Sequence, residues 1–171
     1  MNLKDNVFIC VSIIIIGSVN GSINNTNQVD NDHRIRNFAF SGPFISDINM
    51  DSLNNLISQN NFSYDEPLKL GSAKNEWQGF TATGAQAEHN IWQVYPNIKL
   101  DESVIASAKV YSDKEQEIII NEKHGQVISE IWVNGSLSFS SNDPSYDKNT
   151  RIKLTKGLNI ILMKLISLGQ P

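Results

Sequence analysis

Cysteine is all but missing from this 171-residue chain: Cys10 stands alone, inside an apolar stretch near the start. That excludes a disulfide-stapled scaffold, a thiolate metal cluster and, once the first residues are removed, any thiol nucleophile. Staples are also unnecessary, because roughly 150 residues can bury about two-thirds of their surface in one core. A single domain is expected. A basic excess is missing too, with 14 Lys and Arg against 18 Asp and Glu and a net charge of -4. Arg34, Arg36, Lys148, Arg151, Lys153 and Lys156 make only a loose grouping, and Arg151 and Lys153 alternate with Ile152 and Leu154 as on the wet face of a strand. No broad positive field meets a phosphate backbone, so nucleic acid is excluded as a partner.

A long hydrophobic run is likewise absent. Val7 to Ile16 is apolar but for Cys10 and Ser12, which is short of the about 20 residues that cross a bilayer. The mature chain therefore has no membrane span. The run suits the apolar centre of a signal peptide, and Gly17, Ser18, Val19, Asn20 and Gly21 supply small residues for cleavage near Gly21. Residues 1–21 are expected to be a leader, with an uncleaved anchor as the competing reading. The protein is then secreted, periplasmic or on the cell surface. Ser22 to Asp32, rich in Asn, Ser, Thr and Asp, cannot bury enough apolar surface to order itself, so 22–34 is expected to be a flexible linker.

Catalytic signatures are also wanting. The chain holds no G-x-S-x-G elbow, phosphate loop, dinucleotide fingerprint or H-E-x-x-H. His33, His89 and His124 lie far apart, and Glu88 beside His89 would point to the opposite face of a strand. Glycosidases need two carboxylates roughly 5–9 Å apart. Asp65-Glu66, Asp101-Glu102 and Glu115 with Glu117 are the candidates, yet Asp101-Glu102 opens a turn and Glu115 and Glu117 sit on a wet strand face. No enzyme is expected.

What the chain does have is strand patterning. Val104, Ala106, Ala108 and Val110 share one side of a strand, and Ile118 and Ile120 oppose Ile119 on the next. Lys123-His124-Gly125 makes a turn. In Gln126 to Asn134, Val127, Ile131 and Val133 point inward and Trp132 outward. Asn134-Gly135 tolerates the positive φ of a tight hairpin turn. Leu137 to Ser140, Thr150 to Leu154 and Leu158 to Leu165 follow, with Ser141 to Asn149 as a loop. Strands at intervals of roughly 8–12 residues imply an antiparallel all-β sandwich over residues 35–168. Ile118, Ile120, Ile131, Val133, Ile160 and Leu162 should face inward between its sheets. One short helix at most is expected, within Asp47 to Asn60, from the spacing of Met50, Leu53, Leu56 and Ile57.

Trp132-Val133-Asn134-Gly135 followed by Gly157-Leu158-Asn159-Ile160-Ile161-Leu162-Met163-Lys164 resembles the W-(apolar)-N-G … G-x-N-x-x-L-x-K pattern of galactose-binding-domain-like modules of exported carbohydrate-active proteins. Arg36 to Phe44, with its G-P-F, looks like the opening strand of such modules, and Ala106 to Ser112 with Gln116 to Ile120 is similar to their middle strands. The resemblance covers about residues 35 to 167. It implies a jelly-roll sandwich that serves as a non-catalytic carbohydrate-binding or accessory module. The alternative is a structural or protein-interaction sandwich of the cell envelope without a sugar site. No cofactor is expected beyond a structural calcium ion, which the family often holds and to which Asp47, Asp51, Asp65 and Glu66 could contribute oxygens.

Sugar rings stack on exposed aromatics while amides and carboxylates bind hydroxyls. Tyr146, flanked by Asn142 and Asp143, is the expected centre of a glycan site, with Trp77 or Tyr95 as a second platform. A glycan or an envelope protein is the expected partner. Asn24, Asn61 and Asn134 lie in N-x-S/T sequons, which matter only in a glycosylating pathway.

Overall fold

The structure, a computed structural model, describes residues 7–9, 26–28, 35–45, 48, 50–58, 63–70, 73–81, 91–121, 126–141 and 149–168. In chain order the elements are β1 (Val7–Ile9), β2 (Thr26–Gln28), β3 (Asn37–Ile45), α1 (Asp51–Ser58), β4 (Leu68–Leu70), β5 (Ala73–Asn75) and β6 (Trp77–Thr81). Then come α2 (Ile91–Val94), β7 (Glu102–Ser112), β8 (Gln116–Asn121), β9 (Gln126–Val133), β10 (Ser136–Ser140), β11 (Asn149–Leu154) and β12 (Gly157–Ser167). The fold is all-β, as the strand spacing requires.

A large antiparallel sheet runs in the order β10-β9-β12-β7-β3-β6, and β2 lies parallel beside the far end of β7. A smaller sheet has the order β1-β8-β11, and β4 and β5 form a separate hairpin. The chain passes from β7 in the large sheet to β8 in the small one, returns for β9 and β10, crosses to β11 and ends on β12. These crossings bring the two sheets together as a sandwich.

Between the sheets lies the main core. β7 contributes Val104, Ala106, Ala108 and Val110, β9 contributes Ile131 and Val133, and the small sheet contributes Ile118, Ile120, Ile152 and Leu154. These are the side chains that alternation placed inward. Val127, the other inward expectation, lies where no side chain is described; Ile128 is buried in the main core. The pairing of β12 with β9 slips at Lys164/Leu165, so Ile128 rather than Ser129 stands opposite Leu165.

β12 corrects the predicted register. Ile161, Met163 and Leu165 point into the main core, whereas Leu162 and Ile160 point to the opposite face. On that second face α1 and the β4-β5 hairpin build another core from Leu53, Ile57, Leu68 and Leu70 over Ala39, Ile105 and Leu162. The large sheet is therefore a middle layer. Leu53 and Ile57, one helical turn apart, are both buried, which is the amphipathic stripe that calls for a helix here. A second helical turn, α2, exceeds the one-helix expectation. Its signal is a single i, i+3 pair, Ile91 and Val94, too short to register as periodicity.

At Ser41/Phe44 the pairing of β3 with β7 slips around Gly42. Its φ is +148°, and a Cβ there would stand 3.1 Å from the Ser103 carbonyl oxygen, so the close approach of the two strands requires glycine. Ahead of Ile35, β1 and β2 fall within the predicted leader and linker, and each pairs in parallel with a strand of the sandwich.

Candidate interaction face

The signature that carries the family resemblance turns out to be one structural unit. Asn134 and Gly135 both adopt positive φ, 52° and 81°, as the two central residues of a mirror-image hairpin turn must. From that turn the Asn134 Nδ2 donates to Asn159 Oδ1 at 3.0 Å, and the Ile160 amide donates to Asn134 Oδ1 at 2.9 Å. Asn159 is wholly buried. Its Oδ1 also accepts the Thr155 amide at 2.9 Å and the Thr155 hydroxyl at 3.1 Å, while its Nδ2 donates to the carbonyls of Thr155 and Gly157. One amide thus ties the β9-β10 turn to the β11-β12 turn. The spacing N-G … G-x-N is the spacing of that lock. It also occupies Asn134 Nδ2, the atom that a glycan would need at this sequon.

Of the predicted glycan-site residues, Tyr146, Asn142 and Asp143 lie outside the described residues. Trp77 and Tyr95 do not present platforms. Trp77 is only 7% exposed, with the Tyr64 ring edge-on at 5.3 Å. Tyr64 in turn shares a 2.8 Å hydrogen bond with Ser107 and carries the Lys109 ammonium 4.6 Å above its ring. Burial pushes the Tyr64 phenol up to about 12, outweighing the lowering from the Ser107 bond. Tyr95 is 8% exposed, and burial raises its phenol also. Both rings sit in segments that looked like loops, yet packing of the outer layer and of α2 takes them inside.

Asp47 lies outside the described residues, as does the side chain of Asp51. Asp65 and Glu66 are exposed, and Asp65 Oδ2 accepts a bond from the Ser63 hydroxyl at 3.2 Å. Among the described residues no three His, Cys, Asp or Glu come together as metal ligands. Glu102 Oε2 accepts the Lys99 amide at 2.8 Å, which makes Asp101-Glu102 part of a turn. Glu115 and Glu117 line a hollow of roughly 350 Å³ with Gln116, Lys153, Leu154 and Thr155, and Glu117 stands 3.9 Å from Arg151. No helix among the described residues is long and apolar enough to cross a membrane.

The candidate site lies instead where the second face of the large sheet outruns its cover. α1 and the β4-β5 hairpin cover Ala39, Ile105 and Leu162. Beyond them the same face continues with Trp132 and Ile160, both half-buried against the covered core. Leu137 pairs with Trp132 across β10 and β9, and Leu158 pairs with Tyr111 across β12 and β7. Directly opposed residues of an antiparallel pair project to one side, so all five side chains share the face. Leu137 is 50% exposed, Leu158 54% and Tyr111 47%. Trp132 Nε1 donates to Glu130 Oε2 at 3.1 Å, which fixes the indole, and Glu130 pairs with Lys164 across the strands. An apolar strip with a charged rim results. Alternation marked Trp132 as outward-facing, but nothing local joins it to Tyr111, Leu137 and Leu158; only the strand order does.

Neither a protein-family model, nor a curated protein, nor a solved structure matches this chain.

Proposed function

We propose that this chain is an exported, non-catalytic β-sandwich module of the galactose-binding-like, jelly-roll type that docks a protein of the cell envelope on the uncovered face of its large sheet. The observation that carries the reading is the strip of Leu137, Trp132, Ile160, Leu158 and Tyr111, continuous with a packed core yet open to solvent. Adjoining large apolar side chains on an otherwise polar surface, rimmed by charge, mark interaction sites. Aliphatic groups dominate the strip, which suits a protein surface better than a sugar ring. The apolar Val7–Ile16 run supports export.

A carbohydrate remains the second reading, favoured by one observation. The half-exposed Tyr111 ring and the indole held by Glu130 share a face, with Lys109 and Lys164 on it as hydroxyl-binding groups.

Photo-crosslinking residues placed at Leu158 and Tyr111, in cells that make the protein, separate the outcomes. The docking reading expects one crosslinked protein from both positions and none from the exposed control Lys99, in the turn after α2. No crosslink at all, or the same pattern from Lys99, refutes it. A glycan that binds the wild type and loses about tenfold or more in affinity on Tyr111→Ala, in the range of ring-stacking contacts, would install the second reading instead.

A further inference from the structure

β8 carries Ile118, Ile119 and Ile120 in succession, and all three are buried. Successive strand side chains point to opposite faces, so both faces of β8 are covered and its remaining contacts run along its edges. On one edge β11 pairs antiparallel from Asn149↔Asn121 to Leu154↔Gln116. On the other edge β1 pairs in parallel, Val7↔Ile118, Phe8↔Ile119 and Ile9↔Ile120. Among the described residues β8 has no third strand neighbour.

β1 lies inside the segment proposed above to be cleaved, and this inference rests on that reading. Cleavage near Gly21 removes β1 and leaves alternate N–H and C=O groups of β8 unpaired. A bare edge of consecutive isoleucines is a template for another strand, a hazard that folded proteins normally cover. We propose that processing converts the outer edge of β8 into an acceptor for an extended apolar segment of a partner protein, added in parallel as β1 is. Main-chain bonding supplies affinity in this mode, and the side-chain pattern supplies selectivity. The preferred segment carries an apolar triplet of β-branched or aromatic residues, the type of Val7-Phe8-Ile9.

The probe is a labelled synthetic peptide of residues 4–11 with Cys10→Ser, titrated into three proteins. These are the full chain, the full chain with Phe8→Pro, which removes an amide from β1 and detaches it, and the processed chain recovered from the exported fraction. The processed chain and the Phe8→Pro chain should bind at least tenfold tighter than the unaltered full chain. Peptide binding should slow hydrogen exchange within residues 116–121 and leave β12 unchanged. Equal affinity for all three proteins, or protection anywhere but β8, overturns the acceptor. N-terminal sequencing of the exported protein keeps the two readings apart. Intact Met1 overturns the processing step whatever the peptide does, whereas a processed chain that ignores the peptide overturns the acceptor and leaves export standing.

Discussion

Asn159 is wholly buried, and a bare amide in that position would cost more than it contributes. Its five hydrogen bonds, to Thr155, Gly157 and Asn134, change the sign of that balance. Asn159→Ala deletes the acceptor that serves the buried end of the β11-β12 turn and frees the β9-β10 turn from it. The expected loss is about 2–3 kcal/mol, the scale of a buried network left part-satisfied, measured by urea unfolding. A loss below about 0.5 kcal/mol, the range for unremarkable surface sites, would mean the turns hold themselves. In the cycle with Asn134→Ala the two changes should be less than additive, because both cut the 3.0 Å bond between them.

At the scale of elements, β12 shows how an apolar strand loses its register in sequence. Leu158, Ile160 and Leu162 alternate with Ile161, Met163 and Leu165, and both sets are apolar. Period-two alternation marks a face only when the other face is wet. Here the large sheet has a core on each side, so the pattern has no contrast to report. Burial decides it: Ile161 and Leu162 are both buried, while Leu158 is largely open. Ile161→Ala should therefore cost about 2–4 kcal/mol through lost burial and a cavity, and Leu158→Ala should stay within about 0.5 kcal/mol. Equal costs in thermal melts would show that the uncovered strip is buried after all.

For the whole molecule, the cover over the second face is pinned by Tyr64, which touches Trp77, Ser107 and Lys109 at once. A phenol so buried is neutral in the fold up to about 12, against an ordinary value near 10. The unfolded chain gives up that proton first. Tyr64 thus contributes its full stability below pH 10 and loses it progressively between pH 10 and about 12, at about 1.4 kcal/mol per pH unit. Tyr95, raised in the same direction by burial, adds to the slope. Alkaline titration followed by tyrosinate absorbance should show these phenols ionising together with loss of the fold. Smooth ionisation with intact far-ultraviolet circular dichroism would mean that the cover opens to solvent without unfolding.

Wherever a pattern is local, the sequence by itself determined the outcome. Strand boundaries from Glu102 onward, the Asn134-Gly135 turn, the inward faces of β7, β8 and β9, and the α1 stripe follow from alternation, positive-φ chemistry and helical spacing within a few residues. Tertiary structure alone decided whatever depends on which strands become neighbours. Long-range pairing places Leu137 beside Trp132 and Leu158 beside Tyr111, residues whose sequence separation carries no signal of contact. Packing drew Trp77 and Tyr95 out of apparent loops into the interior, because an aromatic ring's exposure is set by what lies over it rather than by its flanking residues. The second core under α1 and the β4-β5 hairpin settled the register of β12 for the same reason. A side chain's face is a property of the sheet's surroundings, and those surroundings come from distant parts of the chain.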